Sequence, residues 1–374
     1  MNKFQIATAI YYGPDSLSYL NRHTNQSVLI VTDSFMATTD VMKQVVIALQ
    51  NAHVSVFNRV LPNPSVEVVA DAYGAYLTAS PSVLIGLGGG SSIDTAKAVR
   101  KLAVEQGRPH VEFIAIPTTS GSGSEMTSYA VITDEAANRK IAMLSDDMYP
   151  DVAILDPEAV RTTPPSLTAD AGMDAVSHAL EAYVALGHSD CSDAMAEKAL
   201  HLLFEFLPRC FIDGNDMEAR ERVHNAATLA GMAFENAGLG IVHSLSHAIG
   251  GTFSVPHGRL NALIMPGVIE FNAGDLPLSG AASPVAVRYA RLGRVLGATR
   301  PTARNRVLGL VNMITQLRRD LKMPSTIVQA GVDPDAFAAA IPELARTALG
   351  DRCTPPNPRP VTVPDLEGLL KNLL

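Results

Sequence analysis

Four short apolar runs decide most of what the first part of this chain can become. They are Ser27–Asp33 (SVLIVTD), Val54–Phe57, Val83–Gly88 (VLIGLG) and Phe113–Pro117 (FIAIP), with stretches of helical period between them, notably Val66–Thr78 and Ser91–Val104. Runs so short and so continuously apolar suit strands buried on both faces of a parallel sheet. The β–α–β alternation predicts a doubly wound, mainly parallel, Rossmann-like sheet. Two later runs, Tyr129–Thr133 and Val152–Leu155, are expected to be strands closing the same half.

After Asp156-Pro157 the pattern changes. Thr162-Thr163-Pro164-Pro165-Ser166 is rich in turn formers, and beyond it long helical stretches dominate: Ala171–Leu186, Asp193–Leu207, Glu218–Ala237, Arg304–Leu321 and a last one over Leu366–Leu374 with Asp365 near its start. A chain of 374 residues is long enough for two cores. Residues 1–161 are therefore read as an α/β domain and 162–374 as an all-helical one, with the cleft between them as the expected place for a site.

Composition removes several classes of function. A net charge of −8 without any Lys/Arg run argues against a nucleic-acid partner. No apolar stretch has the length of a signal peptide or a bilayer span, so no membrane association is expected. The three cysteines, Cys191, Cys210 and Cys353, are widely spaced and lack a CxxC pair, the usage of a reducing compartment. A soluble cytoplasmic protein is expected.

Gly86-Leu87-Gly88-Gly89-Gly90-Ser91-Ser92 follows an expected strand and opens an expected helix. Glycines let the backbone approach a pyrophosphate, and the free N–H groups at a helix start attract its charge. The match to a dinucleotide fingerprint is imperfect, because Ser91 holds the third glycine position and the loop follows the third expected strand. A tight turn that binds nothing is the alternative. A second cluster, Pro117–Glu125 (PTTSGSGSE), ends another strand on the same sheet edge, so two loops converge where nucleotides bind. Asp33 ends an earlier strand on that edge. Its carboxylate would accept from ribose hydroxyls and repel a 2′-phosphate, favouring NAD over NADP, although capping the next helix fits the sequence too.

In the helical half, Asp174 and His178 stand four apart in GMDAVSHALEAY, on one helix face. His243 and His247 repeat the spacing in IVHSLSHAIGG, and His257 follows in VPHGRLNAL. Imidazoles and a carboxylate converging from separate helices suit Fe²⁺, Zn²⁺ or Ni²⁺, and donor chemistry alone does not name the ion. His188, His201 and His224 are read as packing or surface residues.

These motifs identify a resemblance. VTD at Asp33, PNP at Pro62–Pro64, GGGSSIDTAKA, PTTSGSGSE, Lys140 before DVAILDP, TADAGMDAVSHALEAY and GLGIVHSLSHAIGGTFSVPHGRLNAL together resemble the iron-containing alcohol dehydrogenases along the whole chain. The short N-terminus and NPRP at Asn357–Pro360 look most like the members that serve bacterial 1,2-propanediol utilisation, with those of ethanolamine utilisation next. Asp15 where a Gly is usual and Ser122 in place of a Thr are the departures. The resemblance implies a dinucleotide-binding α/β domain, a helical catalytic domain and catalytic Fe²⁺, with Zn²⁺ as the substitute. It implies Asp174, His178, His243 and His257 as metal ligands and His247 beside the substrate. Asp33, Asn63, Gly89, Gly90, Ser91, Thr118, Thr119, Thr127 and Lys140 would contact NAD. Four ligands already fill a tetrahedral shell, so His247 is assigned to positioning substrate and relaying its proton.

The expected reaction interconverts a short-chain aldehyde and a primary alcohol, with propionaldehyde and 1-propanol as the leading pair and lactaldehyde or butanol chemistry as neighbours. A homodimer and residence in a bacterial microcompartment are expected from the same resemblance. The main rival is a metal- and NAD-using cyclising lyase of the dehydroquinate synthase type. Such an enzyme needs several cations for a phosphorylated substrate, yet only Lys198, Arg209, Arg220, Arg222 and Arg259 lie between Asp174 and Asn261. A scaffold that has lost activity is disfavoured because no ligand position is missing.

Overall fold

The computed structural model describes residues 3–135, 139–276 and 281–374, the side chains at 139 and 140 excepted. The chain divides into two units, one of Gln5–Pro164 with Gly214–Gly231, the other of Pro165–Asp213 with Met232–Leu374.

In the first unit the strands are β1 (Ala9–Tyr12), β2 (Ser27–Asp33), β3 (His53–Val60), β4 (Val83–Gly88), β5 (Glu112–Pro117), β6 (Tyr129–Asp134), β7 (Arg139–Leu144) and β8 (Val152–Leu155). Six of them form one sheet in the order β1-β8-β5-β4-β2-β3, and every pairing is parallel. The period of two along the strands builds two cores. Val28, Ile30, Val83, Ile85, Ile114 and Ile116 bury on one face, with Val41 and Val45 of α1 (Asp40–Ala48) against them. Leu29, Val31, Leu84, Phe113 and Ala115 bury on the other, with Ala72 of α2 (Val66–Ala79) and Ile93 and Ala96 of α3 (Gly90–Glu105). Burial on both faces is why these runs show no polar alternation. The doubly wound sheet is as the sequence predicts.

Strand order reverses between β2 and β4, since β3 lies to one side of β2 and β4 to the other. The carboxyl ends of strands at such a reversal are where an open α/β sheet binds ligands. Asp33 ends one of these strands and Gly88 the other.

The structure differs from the sequence reading in the last strands. Tyr129–Asp134 does not close the main sheet but pairs antiparallel with β7 as a separate hairpin. Its Ile132 packs on Val69 of α2 and Ala98 of α3, so it lies against the helices. Only Val152–Leu155 joins the sheet, and beyond it β1 forms an edge that the sequence reading omitted.

Among its described residues the second unit contains helices and no strand: α4 (Pro165–Val184), α5 (Asp190–Ile212), the last turns of α6 (Met217–Ala237), α7 (Ile241–Phe253), α8 (His257–Ala273), α9 (Pro284–Val295), α10 (Ala303–Asp320), α11 (Pro334–Leu349) and α12 (Val363–Lys371). Caps set the boundaries: Ser189 and Ser192 form a capping box at α5, and Thr362 and Asp365 form another at α12. From Ala175 to Val184 every residue of α4 is buried, which marks a central helix and obliges its polar members, Ser177, His178 and Glu181, to find partners. Gly258, in the first turn of α8, lies so close to α4 that a Cβ would stand 1.8 Å from the Asp170 carbonyl oxygen. That contact brings His257 beside Asp174. Among the described residues no helix is long and apolar enough to cross a membrane.

Candidate active site

In the helical unit, three helices deliver their donors to one point. Asp174 Oδ1 lies 3.7 Å from His178 Nε2, 3.7 Å from His243 Nε2 and 3.4 Å from His257 Nε2. Donors held about 2.0–2.2 Å from one tetrahedral ion stand roughly 3.3–3.6 Å apart, so each imidazole is near ligand spacing from Asp174. The donors of Asp174, His178 and His243 lie within 4.8 Å of one another, a group His257 joins only through Asp174. His243 supplies the sharpest test of fit. Its Nδ1 is 2.5 Å from Glu181 Oε2, while its Nε2 is buried and has no hydrogen-bond partner. A buried ring nitrogen left without a partner in this way is costly, and a cation bound in the cluster, proton or metal, would satisfy it.

The surrounding bonds orient the ligands. Glu181 Oε1 also accepts from the Val242 N–H at 2.7 Å, Ser246 Oγ lies 2.6 Å from His257 Nδ1, and Asn261 Nδ2 donates to Asp174 Oδ1 at 2.9 Å. Burial pushes the Asp174 carboxyl up, but His178, His257 and His243 outweigh it and hold the group well below the usual carboxylate range. Burial also pushes the His243 imidazole down, and the charges of Glu181 and Asp174 reverse this and hold it up at about 9. At His257 burial prevails, and its imidazole lies well below the ordinary value. The cluster binds one positive charge tightly, and a metal ion would displace a proton to take that place.

His178 and His243 are sealed at 6% and 2% side-chain exposure, whereas His247 and His257 are open at 31% and 35%. The open side of the cluster is thus the side of His247, whose ring stacks on His257 with centroids 5.1 Å apart. His247 Nδ1 lies 3.0 Å from Asp351 Oδ2. Burial would raise the Asp351 carboxyl, but His247 and the bonds from Cys353 bring it down to about 2.

Asp351 begins a strap laid along α7. Thr354 Oγ1 lies 2.8 Å from Ser244 Oγ, and Asn357 Oδ1 accepts from the Ile241 N–H at 3.4 Å. Sequence reading missed Asp351, Glu181, Ser246 and Asn261. Glu181, Ser246 and Asn261 lie within the quoted motifs, yet only the packing of α4 against α7 and α8 shows what they hold.

In the α/β unit, Gly88 has φ +147, and a Cβ there would stand 2.4 Å from Ser92 Oγ and 3.7 Å from Asp33 Oδ2. No other residue fits this position. Gly89 caps α3, and a Cβ on it would stand 3.3 Å from Thr119 Oγ1, while one on Gly90 would stand 3.1 Å from Ser122 Oγ. The Thr118 N–H donates to the Gly88 carbonyl at 2.9 Å. The loop at Gly88–Ser91 and the loop at Thr118–Ser122 therefore meet at the N-terminus of α3, a place suited to a pyrophosphate. Asp33 Oδ1 accepts from the Met36 N–H at 2.8 Å, so its carboxylate caps the following turn while Oδ2 faces the glycine loop. Asn63 is exposed with φ +53, after β3 on the same edge. Thr127 is buried, and its hydroxyl accepts from Lys97 Nζ at 2.9 Å. The side chain of Lys140 lies outside the described residues.

Comparison with known proteins identifies the family. The sequence pattern of the family described as iron-containing alcohol dehydrogenase matches residues 7–157, and that of the Fe-containing alcohol dehydrogenase family, C-terminal, matches residues 168–374. The chain is 40% identical to 1-propanol dehydrogenase PduQ of Salmonella typhimurium, over the full length of both. It is 35% identical to the NAD-dependent methanol dehydrogenase of Bacillus methanolicus, again over the full length of both. Among solved structures, an iron-containing alcohol dehydrogenase from Thermococcus thioreducens superposes with TM-score 0.88 at 33% identity, covering 99% of each chain. A 1,3-propanediol oxidoreductase superposes with TM-score 0.91 at 27% identity, covering both chains fully. The rival lyase reading gives way: the chain belongs to the iron-containing alcohol dehydrogenases, oxidoreductases that work with NAD(H) and Fe²⁺.

Proposed function

We propose that this alcohol dehydrogenase interconverts propionaldehyde and 1-propanol, with Asp174, His178, His243 and His257 holding Fe²⁺. Residues 1–161 would bind the cofactor and 162–374 would carry the metal. The ion supplies Lewis acidity toward the substrate oxygen, and the nicotinamide supplies or receives the hydride. The chain itself does the rest. Asp33, Asn63, Gly89, Gly90, Ser91, Thr118, Thr119, Thr127 and Lys140 seat NAD, with Asp33 turning away a 2′-phosphate. His247 moves the proton between the substrate oxygen and water. A homodimer in the cytoplasm, housed in a microcompartment for propanediol utilisation, belongs to the same reading.

The observation that carries the proposal is the cluster around Asp174 Oδ1 in a chain 40% identical to a 1-propanol dehydrogenase. Anaerobic purification, metal analysis and NADH consumption with aldehydes of two to four carbons test it. Propionaldehyde should give the highest kcat/KM, with iron at one equivalent per chain. A preference of about tenfold for acetaldehyde or butyraldehyde, equivalent to roughly one methylene of apolar contact, would displace the substrate. Full activity with Zn²⁺ alone would displace the ion.

A further inference from the structure

His247 is held on one ring edge and on one face, and the edge contact determines which nitrogen is free for chemistry. We propose that Asp351 is a positioning residue that fixes His247 as the Nδ1–H tautomer, so that Nε2 keeps the lone pair that takes and returns the substrate proton. The inference deepens the relay role given to His247 above and rests on it.

Donors and acceptors around the ring decide which nitrogen is free. Asp351 Oδ1 accepts from the Cys353 N–H at 2.8 Å, and Oδ2 lies 3.0 Å from His247 Nδ1. An ionised carboxylate can only accept, so Nδ1 must be the donor in that pair. A neutral imidazole has one N–H, which leaves Nε2 as the acceptor. A partly exposed imidazole without such a partner could carry its proton on either nitrogen, with water satisfying both. Here the choice is made before substrate arrives.

The carboxylate is itself held. Thr354 Oγ1 lies 2.8 Å from Ser244 Oγ and 2.6 Å from the Ala348 carbonyl, and Asn357 Oδ1 takes the Ile241 N–H. The rungs to Ser244 and Ile241 tie the strap to the same helix that carries His247. The near-parallel stack on His257, 15° between planes, fixes the ring's second direction.

His247, Asp351 and Cys353 also place one donor each within 4.8 Å of one another, a spacing that a metal ion could use. Burial pushes the Cys353 thiol well up, which favours the protonated form, a poor ligand. Metal stoichiometry separates the two roles.

The decisive variant is Asp351→Asn. Its Oδ1 must stay with the Cys353 N–H, which turns the Nδ2 amide donor toward His247 and forces the proton to Nε2. We expect kcat to fall by about 10²-fold, at the low end of what general acid–base catalysis contributes, with KM for the aldehyde within about threefold of wild type. Iron should remain at one equivalent. Nitrogen-15 NMR of histidine-labelled, zinc-substituted enzyme should show His247 as Nδ1–H in the wild type and Nε2–H in the variant. Asp351→Glu, which keeps the carboxylate, should restore the Nδ1–H signature and part of the turnover.

An Asp351→Asn enzyme with wild-type kcat and an unchanged tautomer would overturn the assignment, provided that His247→Ala is strongly impaired. Loss of iron in Asp351→Asn, or of a second metal equivalent that the wild type holds, would overturn it in favour of a metal-supporting role. Wild-type turnover in His247→Ala would remove the relay itself, and the role of Asp351 with it.

Discussion

In the α/β unit the groups set out for a ligand belong mainly to the backbone, whereas in the helical unit they are side chains. The candidate cofactor cradle is defined by what is missing, namely a Cβ at Gly88 that would collide with Ser92 and Cβ atoms at Gly89 and Gly90 that would crowd Thr119 and Ser122. The candidate metal centre is defined by what is present, three imidazole nitrogens within 3.7 Å of one carboxylate oxygen. A backbone site is made by the strand-to-helix turn and stands whether or not a ligand is bound. A side-chain site of buried donors carries charge and open lone pairs that a cation must satisfy. Removing one group should therefore cost very different amounts in the two places.

The largest expected effect crosses the two sites. His243→Ala should lose bound iron and more than about 10²-fold of turnover, since even partners that only orient a ligand are worth roughly 10–100-fold. Gly88→Ala should instead keep its iron and raise KM for NAD(H) about tenfold, the scale of the 1–3 kcal/mol that a strained backbone position costs. Metal analysis and steady-state kinetics on both variants check this, and a Gly88→Ala protein without iron would break the comparison. Next in size is Asp33→Gly, which should shift the ratio of kcat/KM for NADP over NAD by about one to two powers of ten, a lost hydrogen bond plus a charge contact. An unchanged ratio would leave Asp33 only its bond to the Met36 N–H.

The smallest effect concerns acid. Burial holds the His224 imidazole of the α/β unit down at about 4, with Ser120 Oγ of the Thr118–Ser122 loop 3.0 Å from its Nδ1. A histidine lowered on folding contributes stability above its unfolded value and loses it as pH falls from about 6.5 towards 4. Denaturant unfolding of wild type and His224→Gln at pH 7 and pH 5 should show the wild-type advantage shrinking by about 2 kcal/mol. In the helical unit Asp351, held down at about 2, should give up its contribution only below about pH 4. Equal losses at pH 5 on substituting either residue would remove the contrast.

The same contrast explains what the sequence reveals. Buried parallel strands are legible because burial on both faces forces continuous apolar runs, as in VLIGLG. The edge strand Ala9–Tyr12 is mostly exposed and carries no such run. The β6–β7 hairpin is misleading because a strand lying on helices is half apolar like one in a sheet. Of the metal centre, the four donors show in their helical spacing and their crowding near PHG. Their supports do not: Glu181 lies 62 residues from His243, and Asp351 lies 104 residues from His247. A carboxylate far along the chain gives no local sign of the imidazole it meets.

The strap along α7 has a geometric property of its own. Asp351, Thr354 and Asn357 are spaced by threes, and they meet His247, Ser244 and Ile241, spaced by threes in the opposite direction. All three pairs are in register in only one alignment. Adding or deleting a single residue between the first and last anchors would leave at least one of them opposite the wrong position. Changes of side chain at Arg352 or Pro355 leave the count intact. Within this segment the molecule is bound to keep a length more strictly than it is bound to keep a composition.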